Sequence, residues 1–119
     1  MPTKDEHVNK ASENEAFASG LNVNSQASIN WKLVVLFYTA LHYVEAYLAD
    51  ALGQHGRSHT TRDNYVARET NLRPIKNEYG HLKFYGYNAR YEPDQFTQND
   101  VQDALNDLAQ LKNHIQPLL

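Results

Sequence analysis

Apolar and polar positions follow a helical rhythm along the chain, and nowhere do they alternate in the strict period of two that a half-buried strand requires. Val8, Ala11, Phe17 and Leu21 recur at helical intervals in a polar segment, which predicts an amphipathic helix from about Lys4 to Ser19. A second helix is predicted from Asn30 to Leu52, NWKLVVLFYTALHYVEAYLADAL, apolar nearly all round because neighbours cover it on several sides. Asn30 suits its N-cap, and Gly53 followed by Gly56 ends it with residues that accept left-handed backbone. A short helix from about Thr60 to Glu69 follows, carrying Tyr65 and Val66. Pro74 fits the first turn of a fourth helix, in which Ile75, Tyr79, Leu82 and Ala89 share one stripe. Gly80 and Gly86 weaken it, and it ends near Tyr85 or runs on to Tyr91. Thr97 with Asp100 resembles a capping box, and Val101, Leu105, Leu108, Leu111 and Ile115 form the buried face of a last helix that stops before Pro117. There is no internal repeat and no low-complexity segment. The pattern predicts one all-α domain over residues 1–119, an antiparallel bundle of about five helices.

Composition narrows the chemistry. With 119 residues, 41% of them hydrophobic and 21% charged, and a mean hydropathy of -0.68, the chain reads as one soluble domain with a modest core. Lys32, His42, Glu45 and Asp50 interrupt the long apolar run, and a charge near a bilayer centre costs at least ~2.5 kcal/mol, so no membrane span is expected. The absence of cysteine excludes disulfides, thiolate nucleophiles and zinc sites of the Cys type. The opening MPTKDEHVNKASENE has no apolar run after a basic start, so no secretory signal is expected and the cytoplasm is the default compartment. No phosphate-binding loop, nucleophile elbow, dinucleotide fingerprint or EF-hand occurs, and no cofactor is expected. His55 and His59 have the spacing of some zinc helices, but the intervening Gly56 disfavours helical geometry, and no metal is expected.

Charge changes the picture once it is divided along the chain. Gly53 to Tyr91 holds seven Lys and Arg against three Asp and Glu, a balance of +4, whereas the remainder holds four against eleven, a balance of -7. The same basic segment carries His55, His59 and His81 and the tyrosines Tyr65, Tyr79, Tyr85, Tyr87 and Tyr91. Arginines hold phosphates in a bidentate fork and aromatic rings stack on bases, so this interleaving suits a nucleotide or single-stranded RNA site. The plainer reading is a surface whose arginines pair with the acidic first and last helices and whose tyrosines pack.

Three constellations carry the candidate chemistry. His42, with Thr39 and Glu45 three residues to either side, makes a polar seam in which Glu45 would orient the imidazole and raise its pKa; the alternative is a core histidine satisfied by another helix. In HGRSHTTRD, from His55 to Asp63, the amides of a helix start with Arg57, His59 and Arg62 nearby would receive a phosphate. The alternative there is a plain helix start with Ser58 or Thr60 as cap. Arg90 sits near the end of the fourth helix, where the helix dipole alone favours a cation, yet it keeps company with Tyr85, Tyr87 and Tyr91.

The order of these features resembles the HEPN superfamily of small prokaryotic helical domains: a first helix with His7 and Asn14, then WKLVVLFYTALHYVEAYLA, then RSHTTRDNYV, then a tyrosine-rich helix closing in NARY. The resemblance spans nearly the whole chain. It implies a bundle of four to five helices that often dimerises and binds nucleotides or RNA, frequently in toxin–antitoxin, defence or CRISPR-associated systems. Many such domains are metal-independent ribonucleases in which an Arg, followed after four to six residues by a His, acts at a dimer cleft. Here no arginine has a histidine at that distance; the nearest case, Arg73 to His81, has seven intervening residues. The familiar pair is therefore not carried over.

Two function classes follow. The first is a binding module, an antitoxin or companion protein, whose basic, tyrosine-rich cleft holds RNA, a nucleotide or a partner protein, with His42, Arg57, Tyr85, Tyr87 and Tyr91 as ligand-binding residues. The second is a metal-independent endoribonuclease with a rebuilt site, in which His59 takes the ribose 2′-hydroxyl proton and Arg62 and Arg90 stabilise charge on the phosphate. A separate reading is a purely structural bundle, which would leave the basic and aromatic clustering as coincidence. Asp100, Asp103 and Asp107 on the last helix oppose the basic middle segment, and this complementarity predicts a homodimer.

Overall fold

The computed structural model describes residues 1–92 and 95–119. Among them are five α-helices and no strand: α1 (Lys4–Ser19), α2 (Gln26–Tyr47), α3 (His59–Arg68), α4 (Lys76–Tyr91) and α5 (Gln98–Ile115). The protein is an all-α bundle of five helices, as the periodicity predicts. No helix among the described residues is long and apolar enough to cross a membrane.

α2 is the axis against which the others pack. It begins four residues before the predicted Asn30, because Ser25 takes the capping role and accepts a hydrogen bond from the Ser28 amide. Asn30 lies within the helix and accepts from the Gln26 side chain at 2.8 Å. At its other end α2 widens into a π-helical turn, Leu48–Leu52, which closes at Gly53 with φ of 61°, the left-handed conformation that glycine tolerates best. Leu33, Leu36, Phe37, Ala40, Tyr43, Val44 and Leu48 form the centre of the core. One side of α2 remains open: Trp31 keeps 59% of its surface exposed, so the helix is not covered all round as its composition suggests.

α1 is held by a capping box between Thr3 and Glu6 and packs antiparallel to α2 through His7, Ala11 and Ala18. Phe17, predicted for this face, is exposed. At about 100° per residue it lies roughly 120° around the helix from Ala11, whereas Ala18 returns to within about 20°. Glu15 ties three helices together, accepting from the Tyr43 hydroxyl on α2 and from Lys112 on α5.

α4 follows a 3₁₀ turn, Arg73–Ile75, that contains Pro74, and it runs on to Tyr91. Its buried stripe is Tyr79, Leu82, Gly86 and Ala89. Gly86 is the point of closest approach to α2, since a Cβ built there would lie 2.6 Å from Cβ of Phe37. The glycine that weakens α4 as an isolated helix is what lets it dock. α5 buries Val101, Ala104, Leu108, Leu111 and Ile115, and Thr97 with Asp100 forms the predicted capping box.

Candidate functional site

The polar loop before α3 is an anion cradle, and the anion in it belongs to the chain. Glu45, buried on α2, accepts from the Gly56 amide with both carboxylate oxygens at 3.0 Å and from Arg62 Nε at 2.7 Å. Arg62 Nη2 donates to the Gly56 carbonyl at 2.8 Å, and a Cβ on Gly56 would meet Arg62 and Glu45 at 2.8 and 2.9 Å. Ser58 caps α3 by accepting from the Thr61 amide. The phosphate predicted for this loop thus has no vacant amide at Gly56, and Arg62, predicted as a catalytic cation, is a buried anchor between α2 and α3. Arg57 is exposed, with no side-chain partner among the described residues.

The predicted seam of Thr39, His42 and Glu45 separates into three unrelated contacts. Thr39 donates to its own helix at the Val35 carbonyl, Glu45 faces Arg62, and His42 Nδ1 lies 3.0 Å from Nδ1 of His7 on α1. Steps of three residues drift by about 60° around a helix, so groups two such steps apart diverge by about 120°. The upward pull of Glu45 on the His42 pKa is outweighed: burial first, and then the neighbouring His7, depress it to about 4. His42 is therefore a histidine satisfied across a helix interface, the alternative weighed for it.

The residues that do converge line a cavity of about 320 Å³ between α2, the start of α3 and the last turns of α4. Phe37 and Tyr38 form its α2 wall, Tyr87, Arg90 and Tyr91 its α4 wall, and His59 and Lys83 close one side. Arg90 Nη1 donates to the Tyr38 hydroxyl at 3.0 Å, and its guanidinium sits 5.0 Å from the centre of the Tyr91 ring. No carboxylate partners Arg90 among the described residues, and it is exposed. Tyr87 and Tyr91 pack ring to ring, with centres 5.0 Å apart, and remain 52% and 59% exposed. Lys83 meets Asp63 of α3 in an ion pair.

His59 faces this cavity in one particular state. Arg62 Nη1 lies 3.2 Å from its Nδ1, and because guanidinium only donates, Nδ1 is the acceptor and the neutral ring carries its proton on Nε2. Partial burial, and next the Arg62 charge, hold its pKa below the ordinary histidine value. His59 thus offers the cavity a hydrogen-bond donor and no free lone pair.

The structure brings His59, Arg90, Tyr87 and Tyr91 to one cavity and leaves His42, Arg57, Arg62 and Tyr85 outside it. Tyr85 turns to the other side of α4, where it packs on Phe96 with ring centres 5.6 Å apart, and where burial and the α5 carboxylates raise its pKa. Phe37, Tyr38 and Lys83 are the lining residues the sequence reading missed. Tyr38 carried a signal, standing seven residues after Trp31 on one stripe of α2, but a stripe on an apolar helix reads as core. The acidic face of α5 is also reduced: Asp100 closes its own cap and Asp107 meets His81 at 3.4 Å, leaving Asp103 exposed. Comparison with known protein families, curated proteins and solved structures finds no match to the chain.

Proposed function

We propose that the α2–α4 cavity binds a nucleotide-bearing ligand, a nucleotide or a stretch of single-stranded RNA, and holds it without cleaving it. The observation that carries this reading is the convergence of Arg90, Lys83 and the His59 Nε2–H with Tyr38, Tyr87 and Tyr91 around one cavity that no carboxylate lines among the described residues. Donors suit phosphate oxygens, and exposed tyrosine rings suit the faces of bases. The reading agrees with what the HEPN resemblance implies about ligand class.

Binding is favoured over the ribonuclease reading by the state of His59. A general base needs a lone pair aimed at the proton it removes, and the lone pair of His59 is engaged by Arg62. Arg62, the second member of the rebuilt catalytic set, faces Glu45 instead of the cavity.

The test is fluorescence anisotropy with a labelled ten-nucleotide single-stranded RNA across a series of salt concentrations, with a gel of the same mixtures in EDTA. The expected result is binding that weakens steeply with salt, falls about tenfold in Arg90→Ala and in Tyr91→Ala, and leaves the RNA intact. Affinity indifferent to both substitutions refutes the cavity as the site. Cleavage lost in His59→Ala establishes the ribonuclease instead.

A further inference from the structure

A second cavity, of about 230 Å³, lies on the same face, walled by Trp31, Asn30, Ala27 and Val34 of α2 and by Ala89 and Arg90 of α4. Arg90 is common to both cavities. We infer that the ligand is an oligonucleotide of at least two nucleotides, with one base on Tyr87 and Tyr91, the linking phosphate on Arg90 and the next base on Trp31. This extends the proposed function and rests on it.

Four observations carry it. Trp31 is the largest aromatic side chain in the molecule and is 59% exposed, so its ring has no full packing role in the isolated chain. Of the five N–H donors of Arg90, one goes to Tyr38, which leaves a fork between the two cavities for a phosphodiester. Asn30 accepts from Gln26 through Oδ1, so its amide NH₂ is the group left to meet a base edge beside Trp31. Among the described residues neither cavity is lined by Asp or Glu, so both suit an anionic chain.

The chain has a single tryptophan, which makes its fluorescence a reporter for this cavity alone. The experiment titrates the protein with adenosine 5′-monophosphate and with the dinucleotide ApA, following Trp31 emission and, by NMR, the α4 amides around Tyr87 and Tyr91. Expected are shifts of the α4 amides with both ligands, a change in Trp31 emission with ApA only, and affinity for ApA about tenfold higher, the contribution of one further stacked base. Trp31→Ala brings ApA down to the affinity of the mononucleotide, and Trp31→Phe restores most of the difference. Equal affinities with a silent Trp31 overturn the two-nucleotide inference and leave the proposed cavity standing. No α4 response to either ligand overturns both. A Trp31-dependent dimer in analytical ultracentrifugation that ApA does not displace also overturns the inference, by giving this face to a second copy of the chain.

Discussion

Two arginines contact α2 two helical turns apart, and the protein uses them in opposite ways. Arg62 meets Glu45 and is buried; Arg90 meets Tyr38 and is exposed. The partner on α2 decides. A carboxylate at position 45 neutralises the guanidinium, which then tolerates burial and fixes α3 to the bundle. A phenol at position 38 accepts one hydrogen bond and leaves the charge available beside two exposed tyrosines. The lesson is that an arginine's role is set by what the neighbouring helix presents to it.

The largest expected effect breaks the first half of this contrast. Arg62→Ala leaves the Glu45 carboxylate buried without its counter-ion, and unfolding in urea should show a loss of about 3–5 kcal/mol. A loss below about 0.5 kcal/mol, the range of ordinary surface changes, would show that Arg62 is no anchor.

The next effect tests the approach of α4 to α2. In Gly86→Ala the new Cβ meets Phe37 close to the backbone, where little can give, so overpacking of about 1–3 kcal/mol should outweigh the roughly 1 kcal/mol gained in helix propensity. Gly80→Ala meets nothing within 4 Å and should raise stability by about 0.4–1 kcal/mol. Thermal melts of the two variants should therefore move in opposite directions.

Acid should loosen the α1 side of the bundle. Burial holds the pKa of His7 and His42 below the ordinary 6.5, that of His42 at about 4. Two Nδ1 atoms 3.0 Å apart share one proton and cannot both carry one. The unfolded chain binds more protons than the native one in this range, so stability is complete above pH 6.5 and falls as the pH drops towards 4. The groups facing the pair are Glu6, Lys10, Glu45, His55 and Arg62, and of these only the two carboxylates favour protonation. Melting temperatures between pH 7.5 and 4.5 should fall less in His42→Gln than in the parent; parallel curves would assign the acid sensitivity elsewhere.

The smallest effect on stability belongs to Arg90. Arg90→Ala should change unfolding free energy by no more than about 0.5 kcal/mol while reducing RNA affinity about tenfold, the reverse of the Arg62 pattern. A large stability loss there would erase the distinction between the two arginines.

Much of the fold was legible because helix periodicity and caps are local. The bounds of α1 and the Thr97–Asp100 cap follow from residues within a few positions of one another, whereas the end of α4, left between Tyr85 and Tyr91 by its two glycines, is fixed at Tyr91 by packing on α2. The start of α2 was misplaced because Ser25 and Asn30 are both good caps, and the buried Ile29 between them favours the earlier one. At the site, the Tyr87, Arg90, Tyr91 cluster was visible as one turn of a helix. Tyr38 and Lys83 were not, since nothing local distinguishes a cavity wall from a core stripe or a solvated lysine.

The sequence by itself determined the helices, the basic and aromatic character of the middle segment and the absence of cysteine chemistry, because each depends on residue type and short spacing. Only the tertiary structure decided which charges are used internally. Glu45 lies 11 residues before Gly56 and 17 before Arg62, and Tyr38 lies 52 before Arg90. Charge pairing depends on distance through space, and that distance exists only once α3 and α4 have packed on α2.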